Sequence, residues 1–136
     1  MLRGAALALA VLLLGGCQSA APDPAAEHPL VGTTWRAREI DGRMALAEPA
    51  STLSFESRER VAGQAGCNRF FGRLDLDAGR LALGQMGSTR MACAAPVMEQ
   101  ERRFLLALQA SAFWEREGDT LRLLDGERRL RLRLTR

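Results

Sequence analysis

The sequence predicts an α+β single domain, an antiparallel sheet packed against one main helix. Short β-like runs separated by turn signals begin at Val31, and one stretch, Ala95 to Ala110, switches to helical period. The closing third alternates leucine and arginine as a half-buried hairpin would. At 136 residues, with 47% hydrophobic and 26% charged content, the chain has room for one modest core and no second domain.

Taken in order, Thr33 to Ile40 (TTWRAREI) alternates well enough for a first strand, Trp35 and Ala37 on one side and Arg36 and Arg38 on the other, with Asp41-Gly42 ending it. Nothing definite follows as far as Pro49. Thr52 to Phe55 reads as a second strand with Leu53 and Phe55 inward, Ser57 to Arg60 as a turn, and Glu59 to Gly63 as the returning strand. Leu74 to Leu76 and Leu81 to Leu83 flank Asp77-Ala78-Gly79-Arg80, a hairpin by its turn chemistry. In Ala95 to Ala110, Val97, Met98, Glu101, Phe104, Leu105 and Leu108 recur at steps of three and four, and Pro96 suits the first turn. If Asp125-Gly126 is a two-residue turn, Leu121, Leu123, Leu130, Leu132 and Leu134 share one face, and Arg122, Arg129, Arg131 and Arg133 the other, with Arg122 opposite Arg129. That arginine ladder is read first as a solvated outer face, screened by Glu115, Glu117 or Asp119, and second as a surface for anionic lipid or glycolipid.

The N-terminus reads as an export signal. Residues 1–16 combine a basic start at Arg3, an apolar run from Ala5 to Leu14 and small residues before a cysteine. The run is too short to span a bilayer, which takes about 20 apolar residues. Leu14-Gly15-Gly16-Cys17 resembles a bacterial lipobox, with Cys17 as the lipidation site and Gln18 pointing to the outer membrane. Residues 17–29 read as a flexible tether, and residues 30–136 as the folded domain. The only histidine, His28, falls in that tether, which argues against a Ser-His or Cys-His pair or a histidine metal site in the domain. All nineteen basic residues are arginine and the formal charge is only +3, a compositional bias rather than a nucleic-acid footprint.

The most distinctive stretch is Val61 to Gly72, VAGQAGCNRFFG, answered by Ser88 to Cys93, STRMAC. Three glycines and two adjacent phenylalanines make it too irregular for a simple strand, so a shaped loop is expected. Gly66-Cys67-Asn68-Arg69-Phe70-Phe71-Gly72, then Thr89-Arg90-Met91-Ala92-Cys93 and Met98 to Glu101, resemble the META domain family, which includes HslJ-like heat-shock lipoproteins. The resemblance runs from about residue 30 to residue 134. It implies a strongly curved antiparallel β-sheet, approaching a partial barrel, packed against one main helix. It also implies an envelope lipoprotein associated with stress response or envelope integrity, and supplies no catalytic residues; the lipobox, the single small domain and the missing catalytic machinery favour a non-enzymatic role.

The chemistry of the motif stays open at this level. Cys67 and Cys93 read as a disulfide in an exported domain, as two buried thiols, or as a reactive thiol that Arg69 or Arg90 activates. Glu101 lies on the apolar side of the helix, where an unpaired carboxylate is costly, so pairing with Arg90 or Arg69 is expected. Gly66, Asn68, Arg69, Phe70, Phe71, Gly72, Thr89, Arg90 and Glu101 then form either a structural latch or the floor of a ligand pocket. No cofactor or metal is expected. The expected partners are the membrane, through Cys17, and an envelope protein or small molecule, with the domain monomeric, facing the periplasm and without nucleic acid. The alternatives are a small exported inhibitor or ligand-binding domain acting on a hydrolase, and an enzyme using Cys67 or the carboxylates of Asp75 and Asp77.

Overall fold

The computed structural model describes residues 27–136. The signal peptide, Cys17 and the tether as far as residue 26 lie outside the described residues. Among the described residues, nine strands and one helix follow in the order β1 (Thr33–Ile40), β2 (Arg43–Met44), β3 (Thr52–Phe55), β4 (Arg60–Gln64), β5 (Arg69–Asp77), β6 (Arg80–Ser88), α1 (Ala95–Ala110), β7 (Ser111–Glu117), β8 (Thr120–Asp125) and β9 (Leu130–Thr135).

All are antiparallel neighbours in the order β2-β1-β3-β4-β5-β6-β7-β8-β9, and β1 also pairs with β9. The sheet therefore closes: eight strands form a complete barrel, and β2 is a short flap on β1. Closure removes the exposed edges that an open sheet would leave. Alternation supplies the interior. Trp35 and Ala37 of β1, Leu53 and Phe55 of β3, Phe70, Leu74 and Leu76 of β5, Leu121 and Leu123 of β8, and Leu132 and Leu134 of β9 all turn inward. The weakest seam is β6–β7, where Arg80↔Phe113 is the one paired position. It is also where the chain leaves the sheet to make α1, which packs against β9, β6, β1 and β8. Phe104, Ala107 and Leu108 of the helix are fully buried in the same core.

The barrel's two ends are closed differently. Leu30 is fully buried just before β1, and the guanidinium of Arg116 donates to Pro29 O at 3.0 Å while lying over Trp35. At the far end of β1 the helix takes over, Arg103 donating to Ile40 O at 2.7 Å. His28, assigned to the tether from sequence, instead docks on the domain. Its ring meets Trp114 edge-on at 5.1 Å and its Nε2 lies 3.3 Å from Asp77 O.

Several local expectations need correction. The glycine-rich stretch is mostly strand: Val61 to Gln64 finishes β4 and Arg69 to Gly72 begins β5, leaving only residues 65–68 as loop. Gly63 explains how this is possible. A Cβ there would fall 2.1 Å from Thr52 O and 2.9 Å from the Phe70 ring, so the glycine lets β3 and a core phenylalanine crowd against β4. The final hairpin lacks a two-residue turn, since Asp125 N donates to Arg129 O and Leu124 pairs with Leu130 across a bulge. Arg122 consequently faces Arg133, not Arg129. The ladder is also neutralised: Arg122 meets Glu115 at 3.3 Å, Arg131 meets Asp41 at 2.7 Å, Arg133 meets Glu39 at 3.0 Å, and Arg129 meets Asp125 at 3.0 Å.

Candidate functional site

The motif residues gather where the 65–68 loop, the segment 88–94 and the first half of α1 meet. Loop 65–68 is a tight turn closed by Ala65 N donating to Asn68 O at 2.8 Å. It lies directly on the helix at Gly66, where a Cβ would sit 3.1 Å from both Val97 O and Glu101 Cβ. Cys67 is buried and bonded to the exposed Cys93, Cα atoms 5.9 Å apart, so the segment before the helix is fastened to the loop. Of the three readings of these cysteines, the structure holds the disulfide.

Glu101 and Asn68, exposed by only 6% and 2%, are the polar centre. Oε2 of Glu101 accepts the backbone N–H groups of Cys67 and Asn68, both at 3.0 Å, and Nδ2 of Asn68 donates to Oε1 at 2.9 Å. Contrary to the expectation of an Arg90 or Arg69 partner, the carboxylate meets neither arginine; its partners are amides. The physical reason is position. The turn points two orphan backbone donors at the helix, and both arginines stand on the exposed side of their segments. Asn68 completes the cluster, its Oδ1 accepting Met91 N at 2.6 Å and Thr89 Oγ1 at 3.1 Å, while Nδ2 also reaches Met91 O at 3.1 Å. Thr89 Oγ1 in turn accepts Arg69 N at 3.1 Å. One asparagine side chain therefore stitches together all three segments.

The remaining motif residues divide by strand parity. Phe70 is buried edge-to-face on Phe104 at 5.8 Å, and Gly72 leaves room for Met86, whose Cγ would lie 2.8 Å from an added Cβ. Phe71, between them, points outward and is 56% exposed. Beside the clasp lies a second buried polar pair that sequence reasoning missed. Gln100 Nε2 donates to Ser51 Oγ at 3.0 Å, Ser51 Oγ to Ala65 O at 2.6 Å, and Gln100 Oε1 accepts Leu46 N at 2.6 Å. The signal for Gln100 was present, four residues before Phe104 on the apolar stripe; Ser51 carried none.

Asp75 and Asp77 sit apart from the clasp, both exposed on β5. Asp77 caps its own turn, Oδ1 accepting Ala78 N at 2.8 Å. Among the described residues no group of three or more histidine, cysteine, aspartate or glutamate side chains has the arrangement to hold a metal ion. Chemically, the clasp uses its donors and acceptors on one another: it joins turn, segment and helix.

The META domain profile matches residues 28–136, the barrel, clasp and helix together. The chain belongs to the META domain family. HslJ-like is a fair description within it. This META domain is similar in structure to a protein from Burkholderia xenovorans solved by NMR, at 26% identity and TM-score 0.62, over 93% of this chain and 98% of that one. A second NMR structure is similar at 20% identity and TM-score 0.59, covering 75% of this chain and 86% of that chain. A crystal structure of a DUF4847 family protein from Bacteroides vulgatus shares the fold at 13% identity and TM-score 0.50, covering 62% and 57% of the two chains. No curated protein matches the sequence.

Proposed function

We propose that this META domain is the periplasm-facing part of a non-enzymatic outer-membrane lipoprotein, anchored through Cys17, that serves envelope integrity under stress by binding rather than by catalysis. The observation that carries the reading is the Cys67–Cys93 bond. A disulfide persists in oxidising compartments and is rare in the cytosol, which agrees with the export signal and lipobox of residues 1–17. The disulfide also occupies the thiol that a nucleophilic mechanism would require. Glu101 and Asn68, the motif's buried polar groups, serve the clasp, which leaves the outward-facing side chains to meet a partner.

Fractionation with mass analysis of the processed N-terminus tests this. The wild-type chain is expected in the outer membrane with a lipid-modified Cys17 and oxidised Cys67 and Cys93. Cys17→Ala is expected to leave the membrane fraction and to fail to restore heat or detergent tolerance to a deletion strain. A cytoplasmic chain with free thiols, or full rescue by Cys17→Ala, refutes the proposal.

A further inference from the structure

The outer face of β4, β5 and β6 differs from the rest of the barrel wall. In register, Arg60 stands opposite Arg73, Ala62 opposite Phe71, and Phe71 opposite Gly87. The Phe71 ring lies across Gly87, since a Cβ on that glycine would come within 2.7 Å of the ring carbon Cζ. A small residue on one cross-strand side and a glycine on the other leave the ring's outer face bare. Around it runs a groove of about 680 Å³ lined by Glu59, Arg60, Phe71, Arg73, Gln85 and Gly87.

Charge sets this face apart from the arginine ladder. Ladder arginines 122, 129, 131 and 133 each have an acidic partner. Arg73 and the neighbouring Arg69 have no ion-pair partner among the described residues, and Arg60 has only the exposed Glu56, 3.6 Å away. Two like charges directly opposite on a sheet destabilise it, and an anion lying between them removes that cost. A guanidinium presents a planar fork suited to a carboxylate or phosphate. The bare aromatic face takes an apolar ring surface. Glu59 and Gln85 at the rim can accept and donate to hydroxyl groups.

We propose that this groove is a binding site for an acidic saccharide, its anionic group held by Arg60 and Arg73 and its ring stacked on Phe71. Competing occupants fit less well. Single-stranded nucleic acid is held by successive aromatic platforms in a uniformly basic channel, whereas here there is one ring and an acidic rim residue. A protein partner needs a cluster of buried anchors over about 1,000 Å² or more, and Phe71 is the single large exposed apolar side chain of this groove.

Calorimetric titration of the processed chain in detergent, with tetragalacturonate, its methyl-esterified neutral form and an eight-residue oligothymidylate, provides the test. Saturable binding of tetragalacturonate is expected, about tenfold weaker for the neutral form and about tenfold weaker for Arg73→Gln and for Phe71→Ala. The ladder variant Arg133→Gln should bind as the wild type does. Thermal melting of each variant separates lost binding from lost fold. The absence of saturation by about 1 mM, unchanged affinity in Arg73→Gln, or tighter binding of the oligothymidylate overturns the proposal. Because binding is read on purified protein, failure here leaves the envelope-anchoring proposal standing, and failure of anchoring leaves the groove untouched.

Discussion

Replacing Glu101 with alanine removes the acceptor for two backbone N–H groups, those of Cys67 and Asn68, and for the Asn68 amide. All three donors lie in a region shut off from water by the helix and the loop. A buried donor left without a partner costs roughly 1–3 kcal/mol. Counting the two backbone groups alone, Glu101→Ala should therefore lose about 4 kcal/mol, which for a domain of this size lowers Tm by roughly 15 °C. Glu101→Gln keeps an acceptor oxygen but turns an NH₂ toward the other donors, and about half the loss is expected. Arg69→Gln and Arg90→Gln should each stay within about 0.5 kcal/mol of wild type, because neither side chain reaches the carboxylate. Thermal and urea unfolding under oxidising conditions, followed by fluorescence of Trp35 and Trp114, measures all four. A Tm drop below about 3 °C for Glu101→Ala, or a loss in Arg90→Gln equal to that in Glu101→Gln, would refute an amide-held clasp.

Removing the disulfide with Cys67→Ser and Cys93→Ser together frees a sequence separation of 26 residues and should cost about 3.5 kcal/mol, read as a lower urea midpoint with a somewhat steeper slope, because the unbridged unfolded chain exposes more surface. Gly66→Ala forces a methyl group to 3.1 Å from Val97 O and Glu101 Cβ, and a destabilisation of about 1–3 kcal/mol is expected from the lifted loop. His28 is held below the usual histidine pKa, chiefly because burial disfavours its charged form, with the nearby Arg58 adding to the effect. A folded-state pKa below the unfolded one means that stability is present above about pH 6.5 and is lost as pH falls through the folded pKa. Wild-type Tm should accordingly fall more between about pH 7.5 and about pH 5.5 than that of His28→Gln, and parallel curves would show that the ring does not dock in solution.

How far the sequence could be read depended on whether each element's partners were local. The helix Ala95–Ala110 was legible to the residue, because its period, its Pro96 and its apolar stripe are properties of one contiguous segment. Strands Thr33–Ile40 and Thr52–Phe55 were legible by alternation. β7, Ser111–Glu117, was not: it begins directly at the helix end with no turn residue, and its second half, Glu115 to Glu117, has no apolar alternation. Barrel closure was legible only through the family resemblance, as strong curvature approaching a partial barrel, since the β1–β9 pairing joins the two ends of the folded chain and leaves no local mark. In the clasp, the burial of Glu101 and its need for a partner followed from its helix face. The identity of that partner did not, because backbone amides are invisible in a string of side chains and an arginine is the partner that side-chain bookkeeping offers first.

The 65–68 loop and the start of β5 therefore carry two kinds of information. Cys67, Asn68, Phe70 and Gly72 face the core or the helix, and each is explained by a bond, a ring contact or a close approach. Arg69, Phe71 and Arg73 alternate with Phe70 and Gly72 and face solvent, where no core contact or bond to the helix accounts for them. A strand must send successive side chains to opposite faces, so the clasp inside sets the register of the groove outside. A one-residue slip would bury Phe71 and expose Phe70. Holding Asn68 to Met91 on one side and to Glu101 on the other blocks that slip at the start of β5, where Phe71 meets Gly87 three residues later. Substitutions of the inward set should thus lower stability first and affect binding through the folded fraction, while Arg73 and Phe71 should change affinity in a protein that melts nearly as wild type does.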